Sequence, residues 1–350
     1  MTRIDRIVLG RVAARTALTV VVFFGLLCLV ESLDTRRLDI LTSVGGPILA
    51  IIGITVGAGR TILGTLAVTV LIGTIIAVLD LQSRRELTVI KASGISTWRV
   101  MRAPLIAAVG LGLAASLVVT PFTIGVSREL PTASRGDSGP IWLEQRGGDG
   151  AYILHAGGTS QRGQSLSDVT LFFTDAGDRR RIHAESAKLA NGAWQLTSVV
   201  VASAQTPSLE AESLEVATIS TVADMQLRLT SARDLTFAEL VNVVSGNLAD
   251  PTLRAGATTS ILRLLAQPGL LAGSVLIGFA FTSGYRRTNK YGGAVLYGIV
   301  LGFVVYVVTE LANRSGFAGV LDPAFAAVGP AFVAIIIGLT VLLFKEDGRV

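Results

Sequence analysis

Among the side chains that could do chemistry, one arginine is out of place. Arg60 has apolar residues on both sides within a long hydrophobic stretch, where a guanidinium is costly unless it faces a wet cavity or an anion. That alone makes it a functional candidate. Arg36, Arg37 and Arg128 lie just beyond apolar runs, and from the residues alone they read as solvated loop charges able to pair with Glu31, Asp34 or Glu129. Glu310, near the end of another apolar run, reads either as the partner of an arginine on a second subunit or as the point where a helix reaches water.

The densest cluster of chemical groups runs from Ser83 to Ser96 and holds Arg84, Arg85, Glu86 and Lys91. Leu87 and Ile90, with Val89 and Ala92, give it an apolar stripe at helical spacing, and Gly94 supplies a stop. A short amphipathic helix between two spans either lies in the headgroup layer, held by anionic lipid, or docks in a groove on a partner. Glu86 tilts the balance toward a protein, because a carboxylate gains nothing from anionic lipid.

Catalytic machinery is not visible. The sequence contains no G-x-x-x-x-G-K-[ST] phosphate loop, no H-E-x-x-H, no G-x-S-x-G and no C-x-x-C. His155 and His183 each stand alone in a candidate strand, without the neighbours a metal site needs. Cys28, the one cysteine, falls inside an apolar run and reads as a small apolar side chain. No catalytic residue, metal or cofactor is expected, and any energy source must be a partner.

The elements that position these groups follow from composition. The chain has 350 residues, 51% of them hydrophobic and 16% charged, with a mean hydropathy of +0.62; a soluble protein carries roughly a quarter charged residues. This is a membrane protein. A pI near 9.7 raises the question of nucleic acid, but that reading needs lysines and arginines clustered on a soluble face, and there is no such cluster. Residues 128–233 carry 12 of the 25 acidic and 10 of the 30 basic residues, so this stretch is slightly acidic and the excess positive charge belongs to the remainder.

Six spans are expected, each near the ~20 residues needed to cross a bilayer. They are 12–30, 61–79, 103–124, 264–283, 292–311 and 323–344. The first follows Arg3, Arg6 and Arg11 and lacks a small-x-small site after it, so it reads as an uncleaved helix rather than a signal. The apolar stretch 46–79 is too long for one untilted span and is expected to break at Arg60, with 47–58 as an interfacial lead-in. Between the third and fourth spans, Gly-rich turns separate candidate strands at 141–145, 151–155, 169–174, 181–189, 194–202 and 209–216. Asn191-Gly192 between two of them is a strong hairpin signal. An all-β aqueous domain, a sandwich or open barrel, is predicted there. The domains are therefore 1–127 (three spans, with the helix at about 83–96), 128–233 (the β domain) and 234–350 (three more spans).

Orientation comes from the short loops. With the N-terminus inside, the cytoplasmic segments hold thirteen lysines and arginines, among them Arg84, Arg85, Arg99, Arg102, Arg286, Arg287, Lys290, Lys345 and Arg349, while the short outer loops hold only Arg36, Arg37 and Arg314. Both termini are expected in the cytoplasm and the β domain on the far side. Gly53-x-x-x-Gly57 and Gly298-x-x-x-Gly302 permit close helix approach, but such spacings arise often by chance in a Gly-rich chain and assign no interface.

Arg85-Glu86-Leu87 through Ala92-Ser93-Gly94-Ile95-Ser96, lying between two spans, resembles the coupling-helix signature of the LptF/LptG family of lipopolysaccharide-export permeases. The resemblance spans essentially the whole chain: a 3 + 3 arrangement of spans, a central β-jellyroll, Asp5-Arg6 before the first span and Leu321-Asp322-Pro323 before the last. Trp142 and Trp194 fall where that family has tryptophans opening strands. The Pro323-Ala324-Phe325-Ala326-Ala327 run and the ending Leu343-Phe344-Lys345-Glu346-Asp347-Gly348 look more like the LptG branch.

The resemblance implies a permease subunit of an ABC-type exporter in the inner membrane of a Gram-negative bacterium. It would pair with an LptF-type permease, dock on an LptB ATPase dimer through Arg84, Arg85, Glu86, Leu87, Ile90, Lys91 and Gly94, and pass lipopolysaccharide through its β domain to LptC and the periplasmic bridge. A cavity taking a phosphorylated lipid from the outer leaflet needs a basic rim, and Arg36, Arg37, Arg60 and Arg128 map to that boundary. The guanidinium fork suits phosphate because it makes paired hydrogen bonds. Two other classes compete. One is a mechanotransmission protein like FtsX or MacB, which has four spans with the outer domain after the first. The other is a membrane-embedded hydrolase, for which no nucleophile–base pair is present.

Overall fold

The computed structural model describes residues 3–130, 141–148, 150–160, 165–173, 180–203, 209–222, 224–225, 235–245, 251–282 and 291–346. Six of its helices are long and apolar enough to cross a membrane. The basic loop residues Arg286, Arg287, Lys290 and Arg349 lie outside the described residues, as do parts of the segments that join the β domain to the spans.

Helix α1 (Arg3–Glu31) is unbroken. Helix α2 (Thr35–Ser83) starts on Asp34, whose carboxylate accepts from the Arg37 amide at 3.3 Å. It is interrupted once, at Gly45 and Gly46. Gly46 takes φ +70°, a left-handed conformation open to glycine at little cost, and Pro47 restarts the helix without needing a hydrogen-bond acceptor for its nitrogen. The break expected at Arg60 is absent: residues 47–83 form one continuous helix through Gly57, Gly59 and Arg60. A helical glycine costs only about 1 kcal/mol relative to alanine. Gly57 is a point of close approach, to Glu31, whereas a side chain at Gly59 would make only ordinary contact with Thr123, so packing offsets the propensity at Gly57 alone.

The short helix α3 (Glu86–Ala92) follows a turn in which Arg85 takes φ +60°. Gly94 at φ +79° ends that region, the stop expected from sequence. The third span is α4 (Thr97–Ala114), a π-helical turn at Ala115–Val119, and α5 (Thr120–Glu129). Thr120 Oγ1 donates to the Ala115 carbonyl at 2.8 Å within that turn, and Pro121 has no N–H with which to continue an ordinary ladder.

Six strands follow: β1 (Ile141–Gly147), β2 (Gly150–Ser160), β3 (Ser165–Phe173), β4 (Arg180–Ala190), β5 (Ala193–Ser203) and β6 (Leu209–Ala217). They form one antiparallel sheet in sequential order, each pairing with the next. Asn191 and Gly192, both at positive φ, make the tight β4–β5 turn. The sheet rolls until its edges meet at one end. There the Ile219 amide donates to the Arg146 carbonyl at 3.0 Å and Thr218 Oγ1 to Gln145 Oε1 at 2.6 Å, and a side chain at Gly147 would collide with the Ala217 carbonyl. Inside lie Trp194, Tyr152, Leu154, Leu171 and Ile182, all fully buried. Trp142 instead stands on the outside, 60% exposed, against His155 and Phe172.

After the sheet come α6 (Phe237–Ser245), α7 (Pro251–Thr282), α8 (Tyr291–Phe317) and α9 (Pro323–Glu346). Helix α7 begins thirteen residues before the expected start of the fourth span, at 251 rather than 264. Its first turns are polar enough to hide it from a hydropathy window. Helices α2 and α7 form the buried centre of the bundle, with Leu66, Val70, Leu271, Val275 and Phe279 in the main core, while the other spans leave most of their apolar surface open to lipid or to a membrane partner. Gly53 and Gly302 face Leu41 and Val68 of the same chain, so neither needs a second copy to explain it.

Candidate functional site

Toward the end of the bundle that carries the β domain, the spans surround a cavity of about 490 Å³. Its walls come from all four regions that the topology brings there: Glu31 at the end of α1; Arg37, Arg60 and Thr61 of α2; Ser116, Thr120 and Thr123 of the π turn and α5; and Arg263, Gln267, Tyr306, Glu310 and Arg314 of α7 and α8. Four arginines against two carboxylates give it a positive excess, held between apolar helices where charge is screened least. The Arg37 guanidinium pairs with the Glu31 carboxylate across the α1–α2 turn. On the opposite wall Arg314 Nε donates to Glu310 Oε1 at 2.8 Å, one helical turn apart.

Of the arginines expected at this rim, Arg37 and Arg60 line the cavity together. Arg36 occupies the first turn of α2, but its side chain lies outside the described residues. Arg128 is placed elsewhere: both its terminal nitrogens bond the two carboxylate oxygens of Glu239, each at 2.7 Å. Glu239 is also the third residue of a helix capped by Thr236, whose amide and hydroxyl both donate to Glu239 Oε2 at 2.9 Å. The Arg128 guanidinium, with the two bonds from Thr236 helping against partial burial, holds the Glu239 carboxyl at about 2.

Sequence reasoning missed Arg263 and left Glu31 and Glu310 with bland roles. Arg263 fell at the expected span boundary, and only the earlier start of α7 moves it into the bundle. The signal that could have found Glu31 is its spacing to Arg37 across a turn opened by Asp34. For Glu239, the Thr236-Phe237-Ala238-Glu239 capping box was readable.

The second cluster lies at the other end of the bundle. Leu87 is buried and Ile90 packs against the same core, so the apolar stripe of α3 is spent inside the chain while Val89 points outward, 68% exposed. Glu86 is tied to α1 by Arg11 Nη2 at 3.3 Å. Asp80 gathers Arg15 at 3.2 Å, Arg84 at 3.4 Å and Arg11 at 3.8 Å. The side chain of Lys91 lies outside the described residues. In the β domain, His183 Nδ1 is 3.2 Å from Thr170 Oγ1 and His155 lies against Trp142. Among the described residues no three metal-ligating side chains converge.

Six membrane-length helices around a charged cavity, with an all-β domain inserted between the third and fourth, define a multi-pass membrane protein of the permease class. The sequence profile of the family described as lipopolysaccharide export system permease LptF/LptG matches residues 6–344, and the chain belongs to that family. It is a non-catalytic permease component of lipopolysaccharide export, an inner-membrane protein that works in a complex with partner proteins. A comparison with curated proteins returned no match.

Proposed function

We propose that this chain forms one half of an ABC-type exporter that takes lipopolysaccharide from the outer leaflet of the inner membrane, the cavity between its spans receiving the lipid's phosphates. The observation that carries this reading is the arginine excess in the cavity, with Arg37, Arg60 and Arg263 on its walls. A guanidinium between apolar helices is tolerated when it meets an anion or water, and phosphate fits its donor fork. Arg36 belongs to the same rim by position. Arg128 serves it indirectly, fixing the end of the third span.

The helix α3 is the contact for a separate ATPase dimer of the LptB type, an LptF-type permease completes the pathway, and the β domain hands the lipid to LptC and the bridge. Support for the ATPase contact comes from the way α3 is joined to α1 and α2 through Arg11, Arg84, Glu86 and Asp80: a push on α3 moves spans rather than a loose loop. Both termini then lie in the cytoplasm and the β domain in the periplasm, as the basic residues of the short loops require. The C-terminal sequence features favour the LptG branch.

The test is reconstitution with the partner permease and the ATPase, followed by ATP-driven delivery of lipopolysaccharide to the bridge protein. Loss of delivery in Glu86→Ala plus Arg60→Ala is expected. Normal delivery in that variant would overturn the mechanism. A mechanotransmission protein that carries no substrate is the competing reading, and the six spans weigh against it.

A further inference from the structure

We infer that Glu31 is a built-in stand-in for the substrate's phosphate: its carboxylate occupies the Arg37 side of the cavity when the cavity is empty and must be displaced when a phosphate seats. The inference rests on the reading of the cavity as an anion site and goes beyond it by naming the residue that tunes affinity against release.

Three observations converge on Glu31. It is the last residue of α1, so its side chain leaves the end of a rigid rod and reaches sideways to α2. The place where it lands has been cleared of atoms. At Gly57 any side chain would overlap the Glu31 carboxylate. Finally, the carboxylate is paired with Arg37, and both line the same cavity as Arg60, three residues along α2 from Gly57.

A carboxylate and a phosphate compete for the same guanidinium fork, since both accept paired charge-assisted hydrogen bonds. Glu31 therefore does two things. It keeps Arg37 ordered and compensated in a low-dielectric place while no lipid is bound, where a bare charge would be costly. It also weakens substrate binding, because the incoming phosphate has to break the Glu31–Arg37 pair and then shares the site with a displaced negative charge. Weak holding is useful in a carrier, which must release what it takes. The Glu310–Arg314 pair on the opposite wall repeats the arrangement in a more exposed setting.

The experiment measures equilibrium binding of radiolabelled lipid A to the purified permease–ATPase complex in detergent, beside ATP-driven delivery by the same preparations. Neutralising the stand-in with Glu31→Gln should tighten lipid A binding about two- to five-fold, the range expected for losing one partly exposed charge contact, while delivery per ATP falls. Gly57→Ala keeps every charge and evicts the carboxylate from its seat, and should move binding the same way. Dephosphorylated lipid A should show no gain in either variant. Inorganic phosphate competing equally well in both would identify the phosphate group, rather than the acyl chains, as what Glu31 opposes. Unchanged or weakened lipid A binding in both variants, with Arg60→Ala still weakening it, would overturn this inference and leave the anion site standing. Undiminished binding in Arg60→Ala would overturn the anion site, and this inference with it.

Discussion

Arg128 and Glu239 are bonded through both nitrogens and both oxygens at 2.7 Å, across a sequence gap of 111 residues that contains the whole β domain. One partner ends the third span and the other sits in the first turn of α6, so the pair pins together the two places where the chain leaves the bundle and returns to it. Arg128, which its sequence position puts near the substrate rim, has both terminal nitrogens on this carboxylate.

Acid should loosen that anchor late. Glu239 titrates at about 2, below its ordinary value of 4.5, so the ionised form is favoured in the folded protein. Its contribution is complete above about 4.5 and is lost as the pH falls through about 2. Between pH 7 and 5 the junction should show no change in protease sensitivity. Glu239→Gln should cost about 1.5 to 3 kcal/mol, the range for a hydrogen bond to a charged group, and speed tryptic cutting near the junction at pH 7. Equal cutting rates in the variant and the parent would refute the anchoring role.

Asp80 is the hub of the joint beneath α3. It draws Arg15 of α1, Arg84 and, more distantly, Arg11 to one carboxylate, and Arg11 also reaches Glu86. Asp80→Asn should leave the complex assembled and the ATPase active while lipid delivered per ATP falls several-fold. Delivery falling strictly in proportion to ATP hydrolysis would show that the joint does not transmit motion.

Much of the fold was legible because membrane spans and strands announce themselves by period and run length. All six strands and the Asn191-Gly192 turn fell where turn chemistry and β-branched runs put them. Helix limits were harder. Arg60 looked like a break because hydropathy counts a charge as an interruption, whereas the backbone breaks where φ must be positive, at Gly46. The cavity was half legible: Arg60 is conspicuous among apolar neighbours and Glu31 lies six residues from its partner Arg37, but Arg263 acquires meaning only from helices distant in sequence. No local pattern can say that Glu31 meets Gly57 or that Arg128 meets Glu239.

Close helix contacts should be sensitive at glycines that hydropathy ignores. A side chain at Gly273 would come within 2.7 Å of Ala334 Cβ, one at Gly338 within 2.6 Å of Leu276 Cβ, and one at Gly73 within 2.6 Å of Thr16 Cα. The first two join α7 to α9 and the third joins α2 to α1. Gly273→Leu and Gly73→Leu should cost more than about 3 kcal/mol, the upper range for overpacking, read as lower yield and earlier thermal aggregation in detergent. Gly25 and Gly329 meet nothing within 4 Å, and leucine at either should be tolerated.

Arg263 and Arg128 separate two ways of losing transport. Arg263 lines the cavity from a helix that belongs to the buried centre of the bundle. Arg263→Ala should weaken lipopolysaccharide binding to a degree comparable with Arg60→Ala, while thermal stability stays near that of the parent. Arg128→Ala should do the reverse, lowering stability and raising protease sensitivity while lipid binding measured on intact protein changes little. Stronger salt should narrow the gap between the parent and Arg263→Ala, because the phosphate–guanidinium attraction is screened and the apolar contacts of the lipid are not. A gap in affinity that stays constant from low to high salt would mean that Arg263 supports the cavity wall rather than meeting an anion.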